Sequence, residues 1–326
     1  MNLGLSRYLD RLARAVRRAR RARRGPASSG VSIRLLGDAV PTTVDAYWGE
    51  HTVNSKPFAS AEESERYLEW RANEYPLFRD FMRLDDRHDN ECLLDYGCGP
   101  GDDVVWFLMY SRVRKVVGID VSQKALGLAS HRLTLHGVDP ARVELIRSGD
   151  SLTRLPIPDG GVDYVHCGGV LHHTSDPVAL LREFRRVLPP TGRGCVMVYN
   201  RNSLWFHLYT AYIRMVVQGD FDGLTVEAAF ARNTDGEACP IARCYRPEEF
   251  VAMAETAGFV AEFVGGYLSR HELACWATHG RAAQGDQRLG PVHREFLTDL
   301  TWDERGYPMY RGKYAGIGGV YRLTRS

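Results

Sequence analysis

The stretch that decides the fold is Leu93-Leu94-Asp95-Tyr96-Gly97-Cys98-Gly99-Pro100-Gly101. Its apolar start predicts a β-strand, and the apolar residues at 104–107 predict a helix just after it. A glycine-rich turn between a strand and a helix lets the backbone approach a ligand closely, at the place where open α/β sheets bind cofactors. The stretch therefore predicts the start of a cofactor-binding α/β domain.

Short apolar runs alternate with helix-length segments after residue 91, which is typical of a parallel sheet covered on both faces by helices. Five runs precede residue 200 and two follow it, at residues 93–94, 116–119, 143–146, 162–167, 195–199, 260–264 and 320–323. A helix is expected over residues 203–217 and another over 247–257, and a long polar insertion separates the last two runs. The pattern predicts an α/β fold with an insertion after the fifth strand.

The chain divides into four predicted regions. Residues 1–30 form a basic amphipathic tail and linker, 31–88 an N-terminal helical cap, 89–200 the cofactor-binding core, and 201–326 an insertion, a substrate cap and the last strands. The first 24 residues hold nine arginines and one acid, whereas the whole chain has a net charge of only +2. We expect this tail to be either a solvated extension or a contact for a membrane surface or a polyanion.

The composition is typical of a soluble globular protein, with 44% hydrophobic and 25% charged residues and no apolar run that could span a bilayer. Seven cysteines are scattered through the chain, and no secretory segment is apparent. This indicates reduced thiols and a cytoplasmic location. Neither of the closer cysteine pairs has the second Cys or His pair that zinc needs, so no metal is predicted.

The glycine spacing argues against a dinucleotide cofactor. That fingerprint needs a third glycine five residues after Gly97, but Asp102 stands there. Asp102 and Asp103 would also place two negative charges beside a pyrophosphate at the helix N-terminus. S-adenosylmethionine carries a cationic sulfonium and no phosphate, so acidic residues around the turn suit it.

Two further acids are expected at the same edge of the sheet. Asp120 ends the second strand, where a carboxylate accepts hydrogen bonds from ribose hydroxyls. Asp150 and Ser151 follow the third strand, where a carboxylate could reach an adenine amino group. Taken singly, the glycines could be only a tight turn, Asp120 a helix cap and Asp150 a turn residue. Together they indicate one cofactor site.

The stretch 93–199 resembles the class I S-adenosylmethionine-dependent methyltransferases of the ubiquinone/menaquinone-biosynthesis-like type. The matching residues are Asp95, Gly97, Gly99, Gly101, Asp120, Leu155-Pro156-Ile157-Pro158-Asp159, Val170-Leu171-His172-His173 with Asp176-Pro177, residues 181–190 and Tyr245-Arg246-Pro247-Glu248-Glu249-Phe250 with Ala257-Gly258-Phe259. Thr191 departs from the usual Pro-Gly-Gly, which affects only the turn into strand five. The resemblance implies a Rossmann-like, seven-stranded, mostly parallel sheet whose last strand is antiparallel.

The resemblance also implies which residues contact the cofactor. These are Asp95, Gly97, Gly99, Gly101, Asp120, Asp150, Ser151 and, through its backbone, Cys167. His172, beyond strand four, is the candidate general base or substrate contact, because histidine titrates near neutral pH; the alternative is that it only packs in the turn.

Aromatic residues and arginines on either side of the core are candidates for binding the acceptor. We expect substrate contacts from Trp70, Tyr199, Arg201, Tyr209 and Arg246. Rings at these positions would enclose the acceptor, although an aromatic stripe on a helix is also typical of a hydrophobic core. The arginines would suit an anionic acceptor, unless they pair with nearby acids such as Glu248 and Glu249.

The sequence thus predicts an S-adenosylmethionine-dependent methyltransferase that acts on a small-molecule or lipid-like acceptor by in-line methyl transfer. One alternative is an RNA or protein methyltransferase anchored by the basic tail. Another is a module that binds the cofactor without catalysis. The methyl acceptor, the methylated element and the oligomeric state do not follow from the sequence.

Overall fold

The computed structural model describes residues 30–36, 41–151 and 154–326. The arginine-rich tail, with its predicted helix and its membrane-surface or polyanion contact, lies outside the described residues. Within the described ranges, no helix is both long and apolar enough to cross a bilayer.

Twelve strands are described. They are β1 (Ile33–Leu35), β2 (Cys92–Tyr96), β3 (Lys115–Asp120), β4 (Val143–Arg147), β5 (Tyr164–Gly168), β6 (Arg193–Asn200), β7 (Cys244–Tyr245), β8 (Phe259–Tyr267), β9 (Thr301–Trp302), β10 (Pro308–Tyr310), β11 (Lys313–Tyr314) and β12 (Gly318–Arg325). The main sheet has the order β1-β4-β3-β2-β5-β6-β12-β8, and β7 pairs with β6. β12 is antiparallel to both its neighbours, as predicted.

All seven predicted strands are present, and two short strands raise the count in this sheet to nine. β1 adds a parallel edge strand that pairs Ile33 with Leu145. β7 pairs Tyr199 with Cys244 at the end of β6. Each of these two strands pairs with a neighbour on one side only. Neither contains a long apolar run, so the sequence pattern did not reveal them.

Eleven helices are described around this sheet. They are α1 (Thr43–Glu50), α2 (Ala61–Glu74), α3 (Phe78–Phe81), α4 (Asp102–Tyr110), α5 (Gln123–Leu135), α6 (Pro177–Val187), α7 (Trp205–Val217), α8 (Val226–Asp235), α9 (Pro247–Thr256), α10 (Arg270–Gly285) and α11 (Pro291–Thr298). α7 is a π-helix, and at its end the backbone N–H of Gln218 donates to the Ile213 carbonyl five residues earlier. π-Turns are frequent at functional sites.

The sheet has a buried hydrophobic core on each face. Leu93 of β2 packs in one cluster with Phe107 of α4, and Leu94 packs in the other with Phe184 of α6. Successive residues of a strand point to opposite faces, so two adjacent leucines serve two cores. This confirms the predicted Rossmann-like α/β fold with helices on both faces.

The N-terminal region begins α2 as its sequence predicts. The Ser60 side chain accepts a hydrogen bond from the Glu63 backbone at 3.2 Å, and the Glu63 carboxylate accepts one from Ala59 at 2.6 Å. The helix ends at Glu74, before Pro76, because proline disfavours a helical residue directly before it. This helix forms one wall of the cavity described below.

The long polar insertion between the last two strands is more structured than its composition suggests. α10 and α11 pack on α7 in a third core that includes Leu208, Cys275 and Phe296. β9, β10 and β11 form a separate antiparallel sheet. The sequence pattern predicts a polar insertion here but specifies none of these helices and strands. The predicted boundaries at residues 30, 88 and 200 stay predictions.

Candidate active site

A cavity of about 610 Å³ opens at the carboxyl edge of the parallel strands. The turns after β2, β3 and β5 and the end of β6 form its floor, and α1 and α2 form part of its wall. Seven predicted site residues line it: Trp70, Asp95, Gly97, Gly99, Asp120, Asp150 and Tyr199. The cavity therefore brings five of the eight cofactor candidates and two acceptor candidates together.

Three glycines shape the turn after β2, each for a different reason. All have positive φ, at 75° for Gly97, 51° for Gly99 and 80° for Gly101. A Cβ on Gly97 would lie 2.2 Å from a methyl carbon of Val170, and one on Gly101 would lie 3.0 Å from the Ala129 Cβ. A Cβ on Gly99 would meet no atom within 4 Å. Because Gly99 has no side chain, the space beside this part of the cavity wall stays open.

Asp120 ties this turn to the end of β3. One carboxylate oxygen accepts from the Gly99 N–H at 2.8 Å, and the other accepts from the Ser122 N–H at 2.8 Å. Burial raises the pKa of Asp120, while these backbone donors oppose that rise. Each carboxylate oxygen can accept a second hydrogen bond. Asp120 therefore fits the role of receiving ribose hydroxyls.

Asp95 is a buried acid with an unused acceptor in the cavity wall. Its side chain is 3% exposed, and its Oδ2 has no hydrogen-bond partner among the described residues. Burial raises its pKa to about 7. A buried polar atom without a partner is costly, so its presence points to a ligand that donates. The ammonium group of S-adenosylmethionine supplies such a donor, and the site fits this cofactor.

Arg71 and Asp103 form an ion pair beside Asp95 that the sequence reading missed. Arg71 donates to the Asp103 carboxylate at 2.5 Å, and the His166 Nε2 lies 3.0 Å from its other oxygen. Burial alone would raise the pKa of Asp103, but Arg71 and His166 hold it below its usual range. Both members of the ion pair line the cavity. Arg71 offers a cation for the carboxylate of the methionine moiety.

A sequence signal for Arg71 did exist. Tyr67, Trp70, Arg71 and Glu74 all line the cavity, and their spacing places them on one face of α2. The pattern mixes rings and charges, which is unlike the apolar stripe of a core helix.

A second set of cavity-lining groups is clustered around His173 and Asp235. It combines the rings of Trp48, Tyr199 and Trp205 with these two polar side chains. A few convergent polar groups among rings are typical of a small-molecule site. We refer to these five residues as the acceptor end of the cavity, and to Asp95, Gly99 and Asp120 as its cofactor end.

Asp150 lines the cavity, but its carboxylate already has partners. It accepts from the Ser175 N–H at 3.1 and 3.3 Å and from the Ser175 hydroxyl. Its own N–H donates to Asp45 at 2.8 Å. An adenine contact from Asp150 would use the remaining lone pairs.

The other candidates lie outside the cavity lining. His172 is fully buried, neither of its ring nitrogens has a hydrogen-bond partner in the described part of the chain, and burial lowers its pKa well below the usual value. Arg246 pairs with Glu249 at 3.1 Å and Arg201 with Glu227, while the Tyr209 ring packs at a tilt against Trp205. Gly101, Ser151 and Cys167 are also outside the lining. The roles of these residues stay predictions.

The sheet order, the glycine turn and the strand-end acids define a cofactor-binding domain of the class I methyltransferase type. Residues 94–196 match the family described as a methyltransferase domain. Residues 94–196 thus form a methyltransferase domain of the class I, S-adenosylmethionine-dependent type, with S-adenosylmethionine as its cofactor.

Known proteins share this domain. A demethylmenaquinone methyltransferase from Listeria monocytogenes is 31% identical over 157 residues, which cover 46% of this chain and 60% of that protein. A ubiquinone biosynthesis O-methyltransferase from Chromobacterium violaceum is 29% identical over 194 residues, covering 59% and 74%. Four of the curated relatives are matched over only 30% to 60% of their length.

A solved structure with a similar fold covers more of the chain. The geranyl diphosphate C-methyltransferase from Streptomyces coelicolor A3(2) superimposes with a TM-score of 0.50 at 15% identity, covering 87% of this chain and 96% of that one. At this identity the likeness shows the fold alone, and it includes the region beyond residues 94–196.

Proposed function

We propose that this protein transfers the methyl group of S-adenosylmethionine to a small-molecule or lipid-like acceptor by in-line displacement. The observation that carries the proposal is one cavity that is lined by two chemically different sets of residues. Asp95, Gly99 and Asp120 line the cofactor end, while Trp48 and Trp205 line the acceptor end. Rings around the acceptor exclude water and admit a compact molecule.

The bound cofactor supplies an already activated methyl group, so the chain's own residues mainly bind, orient and exclude water. Asp95 and Arg71 would hold the amino acid end, and Asp120 the ribose. The names of the relatives support a small acceptor, since one is a demethylmenaquinone and another a ubiquinone biosynthesis methyltransferase. We also propose a cytoplasmic location, supported by the seven unpaired cysteines.

Cofactor selectivity gives a direct test. We expect S-adenosylmethionine to bind with micromolar affinity and NAD to show no measurable binding. Asp102 and Asp103 lie in the first turn of α4, so their carboxylates occupy the helix N-terminus where a pyrophosphate would bind. Isothermal calorimetry with both ligands checks this, and binding of NAD would contradict it.

Trp70 tests whether the acceptor is enclosed. It lines the cavity at its rim and is 51% exposed, so Trp70→Ala should raise the acceptor KM roughly tenfold through lost ring contact. The affinity for the cofactor should change less than about twofold. Trp302→Ala is the matched control, because Trp302 is 40% exposed and lies outside the cavity lining.

The same assay separates the small-molecule proposal from an RNA acceptor. Methyl transfer to cell-extract metabolites and to bulk RNA is measured between low and moderate salt. Methyl transfer within an enclosed cavity should depend weakly on the salt concentration. Binding of a nucleic acid should instead weaken steeply as salt is added, because each phosphate contact releases counterions. Salt-sensitive methylation of RNA alone would overturn the proposal.

A further inference from the structure

Two ionisable side chains face each other at the acceptor end. His173 follows β5 in the 3₁₀ turn Leu171–His173, and Asp235 is the last residue of α8. The His173 Nε2 lies 3.7 Å from the Asp235 Oδ1, and the side chains are only 5% and 10% exposed. Both residues line the cavity. A buried His–Asp pair in a substrate cavity is a candidate for proton transfer.

A backbone carbonyl sets the tautomer of His173. The His173 Nδ1 lies 2.6 Å from the carbonyl oxygen of Ile241. A carbonyl oxygen only accepts hydrogen bonds, so Nδ1 carries the proton and Nε2 of the neutral ring is left as the base. The free nitrogen is therefore the one on the Asp235 side of the ring.

Asp235 has one oxygen engaged and one unengaged. Its Oδ1 accepts from the Tyr199 hydroxyl at 2.8 Å, and its Oδ2 is buried with no hydrogen-bond partner in the described ranges. Burial raises the pKa of Asp235, although His173 and Tyr199 act in the opposite direction. A donor from the acceptor molecule would satisfy the orphan oxygen.

Aromatic contacts hold the His173 ring in place. Its centroid lies 4.8 Å from that of Trp48, 4.1 Å from that of His172 and 5.7 Å from that of Tyr199. A ring packed on several sides and bonded at Nδ1 has little rotational freedom. This fixes the direction of Nε2, as a base must be positioned before its pKa matters.

A metal ion is the competing interpretation of this cluster. Ligand atoms of His173, Asp235 and Cys239 all lie within 4.8 Å of one another. The Cys239 sulfur, however, lies 4.0 Å from the His173 Nδ1, the nitrogen that donates to Ile241. The Cys239 thiol also donates to the Ile241 carbonyl at 3.4 Å, which is an interaction of the protonated thiol and not of the thiolate that binds a metal. The geometry favours proton transfer over metal binding.

We propose that His173, supported by Asp235, is the general base that removes a proton from a hydroxyl group of the acceptor, which makes the protein an O-methyltransferase. This inference rests on the function proposed above. Nε2 takes the hydroxyl proton while the oxygen lone pair forms the new bond to the methyl carbon. The carbon–sulfur bond breaks with its electron pair going to sulfur. The products are a methyl ether and S-adenosylhomocysteine, and the imidazolium later loses its proton to water.

The acceptor class follows from the strength of this base. Burial lowers the pKa of His173, although Asp235 opposes the shift. A weak base deprotonates a phenol, with a pKa of about 10, far more readily than an aliphatic alcohol. The rings of Trp48 and Trp205 suit a flat, apolar acceptor. We therefore expect a phenolic or quinol-like hydroxyl on an apolar ring.

Several groups set the charge around His173. They are Asp235 on α8, Tyr199 on β6, Tyr47 on α1, whose hydroxyl donates to the Asp235 carbonyl, and the loop residues Cys239, Arg243 and His172. Arg243 and His172 do not donate to the ring, and Asp235 is the acid among these groups whose charge raises the pKa of His173. Removing that charge should lower the pKa of His173.

The test uses a series of substituted phenols, from 4-methylphenol to 4-nitrophenol, as acceptors. In His173→Gln, kcat for 4-methylphenol should fall roughly a hundredfold to ten-thousandfold at pH 7. The loss should shrink as the phenol becomes more acidic, because an ionised phenol needs no base. In Asp235→Asn, the acid limb of the kcat profile should move to lower pH. A residue with only a structural role would produce neither change.

Calorimetry with S-adenosylmethionine on each variant shows whether the fold and the cofactor end are intact. A wild type that binds the cofactor and methylates amines or carbon acceptors, but no phenol, overturns this inference and leaves the proposed function standing. An equal loss in His173→Gln for all phenols also overturns it. So does activity that EDTA abolishes and Zn²⁺ restores, which would indicate the metal site. A wild type that fails to bind S-adenosylmethionine contradicts the proposed function itself.

Discussion

The Asp95→Asn variant should bind S-adenosylmethionine roughly a hundredfold more weakly than the wild type, while being at least as stable. The Asp95 carboxylate is buried, and its Oδ2 has no partner among the described residues. A hydrogen bond between charged groups contributes up to about 3 kcal/mol, which corresponds to this loss of affinity. Without ligand, burying the charged Asp95 carboxylate lowers the stability of the fold. The Asn amide of the variant has the same shape and no charge, so it avoids this cost.

The pH dependence of the wild type follows from the same burial. The pKa of Asp95 is raised from 3.8 to about 7, because burial disfavours the charged form. The folded state therefore holds this proton more tightly than the unfolded chain. The stability that the protonated carboxyl contributes is complete below about pH 4 and is lost as the pH rises to about 7. Over the same interval the affinity for the cationic cofactor should rise.

Two measurements check these expectations. Calorimetry at pH 6 and pH 8 gives the affinities, and thermal unfolding without ligand gives the stabilities. Asp89→Asn is the matched control, since Asp89 is half-exposed and pairs with Arg87 and Arg112 at the surface. A variant that binds like the wild type at both pH values would remove Asp95 from the cofactor site.

The cofactor end was predictable because its signals are local in the sequence. The glycine turn and Asp120 follow apolar strands, and strand ends of a parallel sheet meet at one edge. The hydrogen bond from Gly99 to Asp120 joins neighbouring strands, which is the pairing that the strand order implies. The positions of the turn glycines and of Asp120 are therefore set by the backbone of the sheet alone.

The acceptor end was less predictable because its residues come from distant segments. Asp235 ends a helix that carries no motif, and only the packing of α8 brings it to His173. His172 and His173 are neighbours in a 3₁₀ turn. The residue spacing of α-helices and β-strands does not apply there, so it does not predict which of the two rings faces the cavity. The sequence reading chose His172, whereas the structure places His173 in the lining. The orientation depends on the carbonyl of Ile241.

Gly97→Ala should lower the free energy of unfolding by roughly 2–5 kcal/mol and abolish cofactor binding. The residue has φ of 75°, which costs a residue with a Cβ about 1–2 kcal/mol. Its Cβ would also lie 2.2 Å from Val170 Cγ2, and overpacking of this kind adds about 1–3 kcal/mol. For the free energy of unfolding, Gly99→Ala is the matched control, because its φ is also positive but its Cβ would meet nothing within 4 Å.

A double-mutant cycle separates the clash from the backbone strain. Val170→Gly removes the carbon atoms that a Cβ at position 97 would meet, so the combination with Gly97→Ala should recover about 1–3 kcal/mol beyond additivity. Chemical denaturation of the four proteins measures this coupling. Strictly additive effects would show that the turn after β2 does not depend on Val170. A coupling of the expected size would show that Gly97 is needed for contact between two walls of the cavity, because Val170 follows β5 and lines the same cavity. The position of the cofactor and that of the acceptor would then both depend on the contact between Gly97 and Val170, where there is no room for a Cβ on residue 97.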